Sequence, residues 1–167
     1  FVVIAFSISK SMTSYGMRCG AAILMAQKEE SVREVEIVFE KAARAIWSNV
    51  NNAAMENFVT VVTDNKAAYE AEKDEYVDLL KERSDIFTSE ADACGLEYYP
   101  YKEGFFVTVK IEDNNVRNAY HEALMKEHIY TVMVNKGIRV AVCSLPVEKC
   151  KGLAARMKKI LAEVTAA

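Results

Sequence analysis

Ser7-Ile8-Ser9-Lys10-Ser11-Met12-Thr13-Ser14-Tyr15-Gly16-Met17-Arg18-Cys19-Gly20 is a polar segment that separates two short apolar runs, residues 1–6 and 21–26. The first run is β-branched and aromatic, which predicts a buried strand, and the second run predicts another. Gly16 and Gly20 allow the backbones of the two strands to approach closely. We therefore expect the chain to begin with a strand–loop–strand unit.

The segment between the two runs contains side chains that suit a phosphate and an aldehyde. A lysine beside apolar walls loses ammonium hydration, and its neutral amine can attack a carbonyl to form a Schiff base; Lys10 is placed for this role. Arg18, eight residues later, can hold a phosphate through two hydrogen bonds, and Ser7 adds a hydroxyl donor. We predict that these three residues form one site at the end of the first strand.

The composition indicates a folded protein of nearly balanced charge. The 167 residues suffice for a core and predict one domain or two small ones. Lys+Arg total 21 and Asp+Glu total 24 without a block of like charge, so we expect no nucleic-acid partner. The apolar runs are too short to span a bilayer, and no charged n-region with a cleavage site precedes them, so we expect no membrane partner either.

The chain has four cysteines, none of them in C-x-x-C spacing, and two histidines. This spacing favours neither a zinc site nor a disulfide framework, and we predict no metal site. Cys143 falls in a predicted strand and Cys150 on the apolar face of a predicted helix, so both are expected to be buried free thiols. Such cysteine usage fits a cytoplasmic protein.

Apolar residues recur at helical spacing over three successive segments, and this predicts helices at about 31–47, 52–63 and 66–94. Ser31 and Glu34 form a capping box for the first helix, and Asn51 or Asn52 caps the second. The third helix, which Gly95 ends, would be ~40 Å long and able to join two lobes. We therefore place a boundary within it, with one domain at 1–70 and a smaller domain at 71–167.

Shorter elements follow this long helix. The segment 96–101 is expected to be extended, and a helix over about 116–128 is capped by Asp113 or Asn114. A continuous apolar stripe predicts one final helix over 147–164. Strands are predicted at 104–111, 129–134 and 138–145. The mixture of strands and helices predicts an α/β fold.

The full pattern S-x-x-K-x-x-x-x-x-G-x-R-x-G resembles the cofactor-lysine segment of the fold-type I pyridoxal-phosphate aminotransferases. In that family the lysine carries pyridoxal phosphate, so the resemblance implies that Lys10 is the catalytic and cofactor-binding residue. The arginine and the serine of the family's pattern bind the cofactor phosphate. The resemblance therefore implies the same role for Arg18 and Ser7.

The segment Arg44-Ala45-Ile46-Trp47-Ser48-Asn49 resembles the R-x-x-W-S-N segment of the aspartate and aromatic amino acid aminotransferases. In these enzymes the arginine reaches across a homodimer to the distal carboxylate of the substrate, which implies a substrate-binding role for Arg44. The alternative is that Arg44 is a solvated charge at a helix end. The following residues, Val50-Asn51, depart from the prolines that are usual in the family and leave the shape of the loop open.

Two further segments, Glu127-His128-Ile129-Tyr130 and Gly137-Ile138-Arg139-Val140-Ala141, resemble the stretch of the family's small domain whose arginine binds the substrate α-carboxylate. The resemblance implies this role for Arg139. A cation between two apolar residues in a strand is costly unless an anion meets it, and an internal ion pair with a glutamate is the alternative. The segment Gly104-Phe105-Phe106 resembles a family segment near the substrate, so Phe106 is a candidate substrate contact, with ordinary core packing as the alternative.

The resemblance implies transamination between an aromatic or dicarboxylic amino acid and a 2-oxo acid. Lys10 would move a proton between the substrate and the cofactor, Arg139 would orient the substrate, and Arg44 would favour a second carboxylate. The implied fold is the C-terminal part of the fold-type I fold: the end of the large domain, a long connecting helix and a small α+β domain.

The chain begins with Phe1 inside a strand pattern, and we therefore expect a fragment of a longer protein. The resemblance implies that this protein is a homodimer. In the family, the aspartate, asparagine and tyrosine that contact the cofactor ring lie upstream of the lysine. We accordingly expect the fragment alone to bind pyridoxal phosphate poorly and to be inactive. The alternative is a non-catalytic α/β module that only packs or dimerises.

Overall fold

A computed structural model describes residues 1–166. The chain forms two compact units, one comprising Phe1–Lys73 and the other beginning at Asp74. The division falls inside a 29-residue helix, α4 (Lys66–Cys94), whose bounds agree with the predicted helix over 66–94. Gly95 ends this helix in the left-handed region, with φ of 69°.

The first unit begins with an antiparallel hairpin of β1 (Val2–Ser7) and β2 (Gly20–Met25). Between the strands lie a single helical turn, α1 (Ile8–Ser11), and a short 3₁₀ helix, Tyr15–Met17. The predicted strand–loop–strand unit is therefore confirmed. Two helices follow, α2 (Glu29–Ile46) and α3 (Asn52–Val62).

The two strands of this hairpin are exposed, and the prediction that they are buried is wrong for the described residues. Val2 in β1 is 53% exposed and Ile23 in β2 is 49% exposed. Within the described part of this unit, the buried hydrophobic residues are Ile8 and Ala54. The physical reason is that a two-stranded sheet is buried only when other elements pack on both of its faces. An apolar run predicts a strand but does not show which elements cover it.

The start of α2 also differs from the prediction. The helix begins at Glu29, and its N-cap residue, Lys28, makes no side-chain capping hydrogen bond, so the capping box of Ser31 with Glu34 is wrong. Two glutamates in the first turn favour the earlier start because negative charge stabilises a helix N-terminus. For α3 the predicted cap is confirmed, since the side chain of Asn51 accepts a hydrogen bond from the backbone N–H of Ala54 at 3.3 Å.

After α4, the described helices and strands of the second unit are β3 (Phe106–Lys110), α5 (Asn114–Lys126), β4 (Val132–Val134), β5 (Gly137–Ala141), α6 (Val147–Cys150) and α7 (Leu153–Ala166). The three strands form an antiparallel sheet in the order β3-β5-β4. Residues of α5, of α7 and of the second half of α4 pack with this sheet in one buried core. The core residues of the sheet are Val107, Val109, Ile138 and Val140, and those of the helices include Phe87, Tyr120, Leu124 and Met157. The predicted mixture of strands and helices is confirmed.

Three predictions in the second unit need correction. The final helix is broken into α6 and α7 at Gly152, which has φ of 77° and whose N–H donates to the Glu90 carboxylate at 2.5 Å. The last strand ends at Ala141, and a 3₁₀ helix, Val142–Ser144, follows. Cys143, in this 3₁₀ helix, is half-buried and not buried as predicted, whereas Cys150 is buried as predicted, and all four cysteines are free.

The segment 96–101 pairs with β3 in an antiparallel bridge between Tyr98 and Val109, as suits an extended segment. The N–H of Tyr99 donates to the carbonyl oxygen of Thr108, and the N–H of Lys110 donates to that of Glu97, each at 2.9 Å.

Candidate active site

The hairpin register determines where the predicted cofactor residues lie. Ser7, the last residue of β1, pairs with Gly20, and the N–H of Ile8 donates to the carbonyl oxygen of Cys19 at 3.4 Å. Arg18 immediately precedes this paired end. A side chain at Gly20 would place its Cβ 2.5 Å from the carbonyl oxygen of Phe6, so the close pairing depends on glycine.

Ser7 and Lys10 lie on either side of the start of α1. Ser7 is the N-cap of that helix, and its Oγ accepts a hydrogen bond from the N–H of Ser9 at 3.2 Å. The Ser7 hydroxyl hydrogen is left available to another acceptor. Lys10 lies in the only turn of α1, three residues after Ser7, and its side chain is exposed. The described residues therefore do not form the apolar walls that we expected around Lys10. One aromatic side chain beside Lys10 is the exception.

That exception is Tyr15, which the sequence interpretation had not selected. The ammonium nitrogen of Lys10 lies 4.7 Å from the centre of the Tyr15 ring, and the guanidinium carbon of Arg18 lies 5.1 Å from the same centre. Nη1 of Arg18 also donates to the carbonyl oxygen of Tyr15 at 2.8 Å. The structure thus brings Lys10 and Arg18 together around one aromatic side chain.

Two residues from later helices hold the loop that carries this group, and both were missed as site residues. The hydroxyl of Tyr69, in α4, donates to the carbonyl oxygen of Ser11 at 2.9 Å. Nδ2 of Asn51, the cap of α3, donates to the carbonyl oxygen of Met17 at 3.3 Å. Their helical positions were predicted, but their hydrogen bonds to the loop depend on tertiary structure.

Arg44 lies in the last turn of α2 and is exposed. Its Nη1 donates to Oγ of Ser48 at 2.7 Å and more weakly to the Ser48 carbonyl oxygen at 3.4 Å. Ser48 has φ of 72°, so the backbone turns sharply after the helix. Within the described part of the chain these contacts are local, and Arg44 is not brought to Lys10.

In the second unit, the structure brings together Arg139 and Phe106. Arg139 lies in β5, opposite Thr108 of β3 and Val132 of β4. Its guanidinium carbon is 4.4 Å from the centre of the Phe106 ring, and its Nε atom is buried without a hydrogen-bond partner in the described structure. Phe106 is 37% exposed and lies outside the buried core cluster. The alternative of an internal ion pair between Arg139 and a glutamate is not found among residues 1–166.

The described residues contain no group of three or more potential ligands placed to hold a metal ion. No helix within residues 1–166 has the length and apolar character needed to cross a membrane.

The side chains present fit a phosphorylated aldehyde and a carboxylate. Lys10 supplies a solvent-accessible primary amine, and Arg18 uses one of its five N–H donors on Tyr15 in the described structure. The guanidinium of Arg139, beside the ring of Phe106, is a cation that suits a carboxylate.

Comparisons with known proteins agree with this chemistry. The model of the family described as aminotransferase class I and II matches residues 2–157. An aminotransferase from Anaerococcus prevotii DSM 20548 superimposes with a TM-score of 0.87 at 36% identity, covering 95% of this chain and 38% of that one. The broad specificity aminotransferase from Leishmania mexicana superimposes with a TM-score of 0.71 at 17% identity, covering 96% and 39%, and shows likeness of fold.

No curated protein matches the sequence. The chain spans less than two-fifths of the length of both solved structures. Its mixed α/β architecture is consistent with part of the fold-type I fold. Because the family model covers nearly all of its residues, the chain belongs to the aminotransferase class I and II family.

Proposed function

We propose that the protein containing this chain is a pyridoxal-phosphate-dependent aminotransferase that exchanges an amino group between an amino acid and a 2-oxo acid. The observation that carries this proposal is the placement of Lys10 and Arg18 around the ring of Tyr15. It puts a primary amine and a phosphate-binding cation in one small region. Family membership and the fold support the same assignment.

The residues of the first unit would hold the cofactor. Arg18 binds the phosphate through its remaining N–H donors, and the Ser7 hydroxyl donates a further hydrogen bond. The Lys10 amine would hold the cofactor at its aldehyde, with loss of one water molecule, and as a free amine it would carry a proton to and from the substrate α-carbon. Pyridoxal phosphate, when bound, supplies the electron sink that stabilises negative charge at that carbon.

The other predicted arginines would bind the substrate. Arg139 would bind the α-carboxylate through its guanidinium, and Phe106, whose ring contacts that guanidinium, would lie beside the substrate. Arg44 reaches the distal carboxylate of a dicarboxylic substrate across a homodimer. Aromatic and dicarboxylic amino acids are the proposed substrates, and the free cysteines support a cytoplasmic location.

We assign residues 1–70 to the end of the large cofactor-binding domain and residues 71–167 to the small domain, joined through α4. Ser7, Lys10 and Arg18 are all exposed, and the hairpin that carries them is exposed as well. A solvated site gains little from hydrogen bonds because water competes for the same donors. The chain alone should therefore bind pyridoxal phosphate weakly and should not turn over amino acids.

The test is borohydride reduction of the chain in the presence of pyridoxal phosphate, followed by peptide mass analysis. We expect selective labelling of Lys10. This labelling should disappear in Lys10→Ala and persist in Lys41→Ala, which is a control at another exposed lysine. Diffuse labelling of surface lysines would contradict the cofactor assignment and would favour the alternative, a non-catalytic α/β module.

A further inference from the structure

We propose that Tyr15 is a positioning residue of the cofactor site, whose ring keeps the Lys10 amine and the Arg18 guanidinium at a defined separation. This inference rests on the proposed function, in which Lys10 and Arg18 both bind pyridoxal phosphate. Tyr15 is not assigned a contact with that ligand. It acts through Lys10 and Arg18.

The first observation is that one ring serves two cations. Lys10 Nζ lies 4.7 Å and the guanidinium carbon of Arg18 lies 5.1 Å from the Tyr15 ring centre. Two like charges on neighbouring flexible side chains repel and would otherwise move apart into solvent. The electron-rich face of an aromatic ring attracts both ions and so opposes that separation.

The second observation is that the two cations are held unequally. Arg18 has a second attachment to the same residue, the 2.8 Å hydrogen bond from its Nη1 to the Tyr15 carbonyl oxygen. Its backbone is also held in the left-handed region, with φ of 52°. For the Lys10 ammonium, no hydrogen bond or ion pair is found within residues 1–166 besides its contact with the ring. Loss of the ring should therefore release Lys10 and leave Arg18 largely in place.

The third observation concerns the exposure of Tyr15, which is 63%. A residue so exposed contributes little to a core, and its hydroxyl has no hydrogen-bond partner in the described structure. Replacing the side chain therefore leaves no cavity and no orphaned polar group. The ring is the part of Tyr15 whose contacts bear on the site.

The experiment compares pyridoxal phosphate with pyridoxal, which lacks the phosphate. Because the aldehyde of free pyridoxal is largely closed as an internal hemiacetal, the preference for the phosphorylated compound at Lys10 is divided by the same preference at Lys41, an exposed control lysine. In the unsubstituted chain, borohydride should trap the phosphorylated compound at Lys10 in preference to pyridoxal, because Arg18 directs the phosphate. In Tyr15→Leu this preference should fall by about two- to fivefold, the factor that one exposed cation–π contact accounts for. Any change in the reactivity of the Lys10 amine itself affects both compounds alike and cancels from this ratio.

Tyr15→Phe retains the ring and should retain the full preference, whereas Arg18→Gln should lose it. Tyr15→Gln provides a second ring deletion, and circular dichroism verifies that each variant is folded. An unchanged preference in Tyr15→Leu and Tyr15→Gln would overturn the role of Tyr15 and leave the proposed function intact. Absence of any preference at Lys10 in the unsubstituted chain would instead overturn the cofactor assignment, and the role of Tyr15 with it.

Discussion

Arg139 stacks its guanidinium on the ring of Phe106 at 4.4 Å, while its buried Nε–H has no hydrogen-bond partner in the described structure. One face of the cation is thus satisfied by the ring, and one donor is left without an acceptor. Such a donor costs stability in the free protein, since it has lost water and gained nothing in return.

The first prediction follows from this cost. Arg139→Met should stabilise the second unit by about 0.5–1 kcal/mol, because relief of an unsatisfied buried donor outweighs one lost cation–π contact. Urea unfolding of the chain measures the change. Arg117→Met is the matched control: Arg117 donates to the carbonyl oxygen of Val134 at 2.7 Å and to Asn118, so its removal should destabilise. A loss of stability in Arg139→Met equal to that of the control would contradict the interpretation.

The second prediction concerns the hairpin. In Gly20→Ala the new Cβ would meet the Phe6 carbonyl oxygen at 2.5 Å, so the strands must separate at their paired end. We expect hydrogen exchange of the Ile8 amide, which donates to Cys19, to accelerate by about tenfold or more, since overpacking of this kind costs about 1–3 kcal/mol. In Gly16→Ala, where no atom lies within 4 Å of the added Cβ, the exchange rate should stay the same.

The third prediction separates two roles of Asn51. Asn51→Ala removes both the helix cap and the donor to Met17, and should cost about 1 kcal/mol of local stability. Asn51→Asp keeps the capping acceptor and removes only the donor. In Asn51→Ala, amide exchange should therefore increase both in α3 and in the loop between β1 and β2 that contains Met17. In Asn51→Asp, it should increase in that loop alone. Equal exchange in α3 for both variants would show that the cap contributes nothing.

The fourth prediction concerns Cys150. Burial raises the pKa of its thiol, so at a given pH it carries less thiolate than an ordinary cysteine. Alkylation at pH 8, followed by peptide mass analysis, should label the half-buried Cys19 well before Cys150. A Cys150 rate equal to that of Cys19 in the folded chain would be incompatible with this burial.

The same shift links stability to pH. The folded chain holds the Cys150 proton more tightly than the unfolded chain, so this proton contributes to the free energy of unfolding. The contribution is complete below the ordinary thiol pKa of about 8.5 and is lost as pH rises above that value. Cys150→Ala should lack this dependence on alkaline pH. Unfolding in urea between pH 7 and 10 measures it.

Local signals were sufficient for the long helix and for part of the site. The bounds of α4 follow from helical spacing and from Gly95, both of which are properties of neighbouring residues. The pairing of Ser7 with Gly20, two residues after Arg18, follows from two strands joined by a short loop. These features require no knowledge of distant parts of the chain.

Features that depend on tertiary structure escaped prediction. The apolar stripe of 147–164 continues across Gly152, so periodicity does not reveal a break that arises from one left-handed residue. The direction of the Tyr15 ring depends on a 3₁₀ turn and on the unusual backbone of Arg18. The contact of Phe106 with Arg139 requires the pairing of β3 with β5, which joins residues 27 to 35 positions apart.

The pairing of Ser7 with Gly20 has a consequence for how this family can vary. Side chains alternate between the faces of a strand, so a slip of one residue would turn every side chain of β2 to the opposite face. An insertion or deletion between Lys10 and Arg18 would either force that slip or distort the turn that keeps the two cations on one ring. The length of this loop should therefore be inherited unchanged among close homologues, even where its composition drifts.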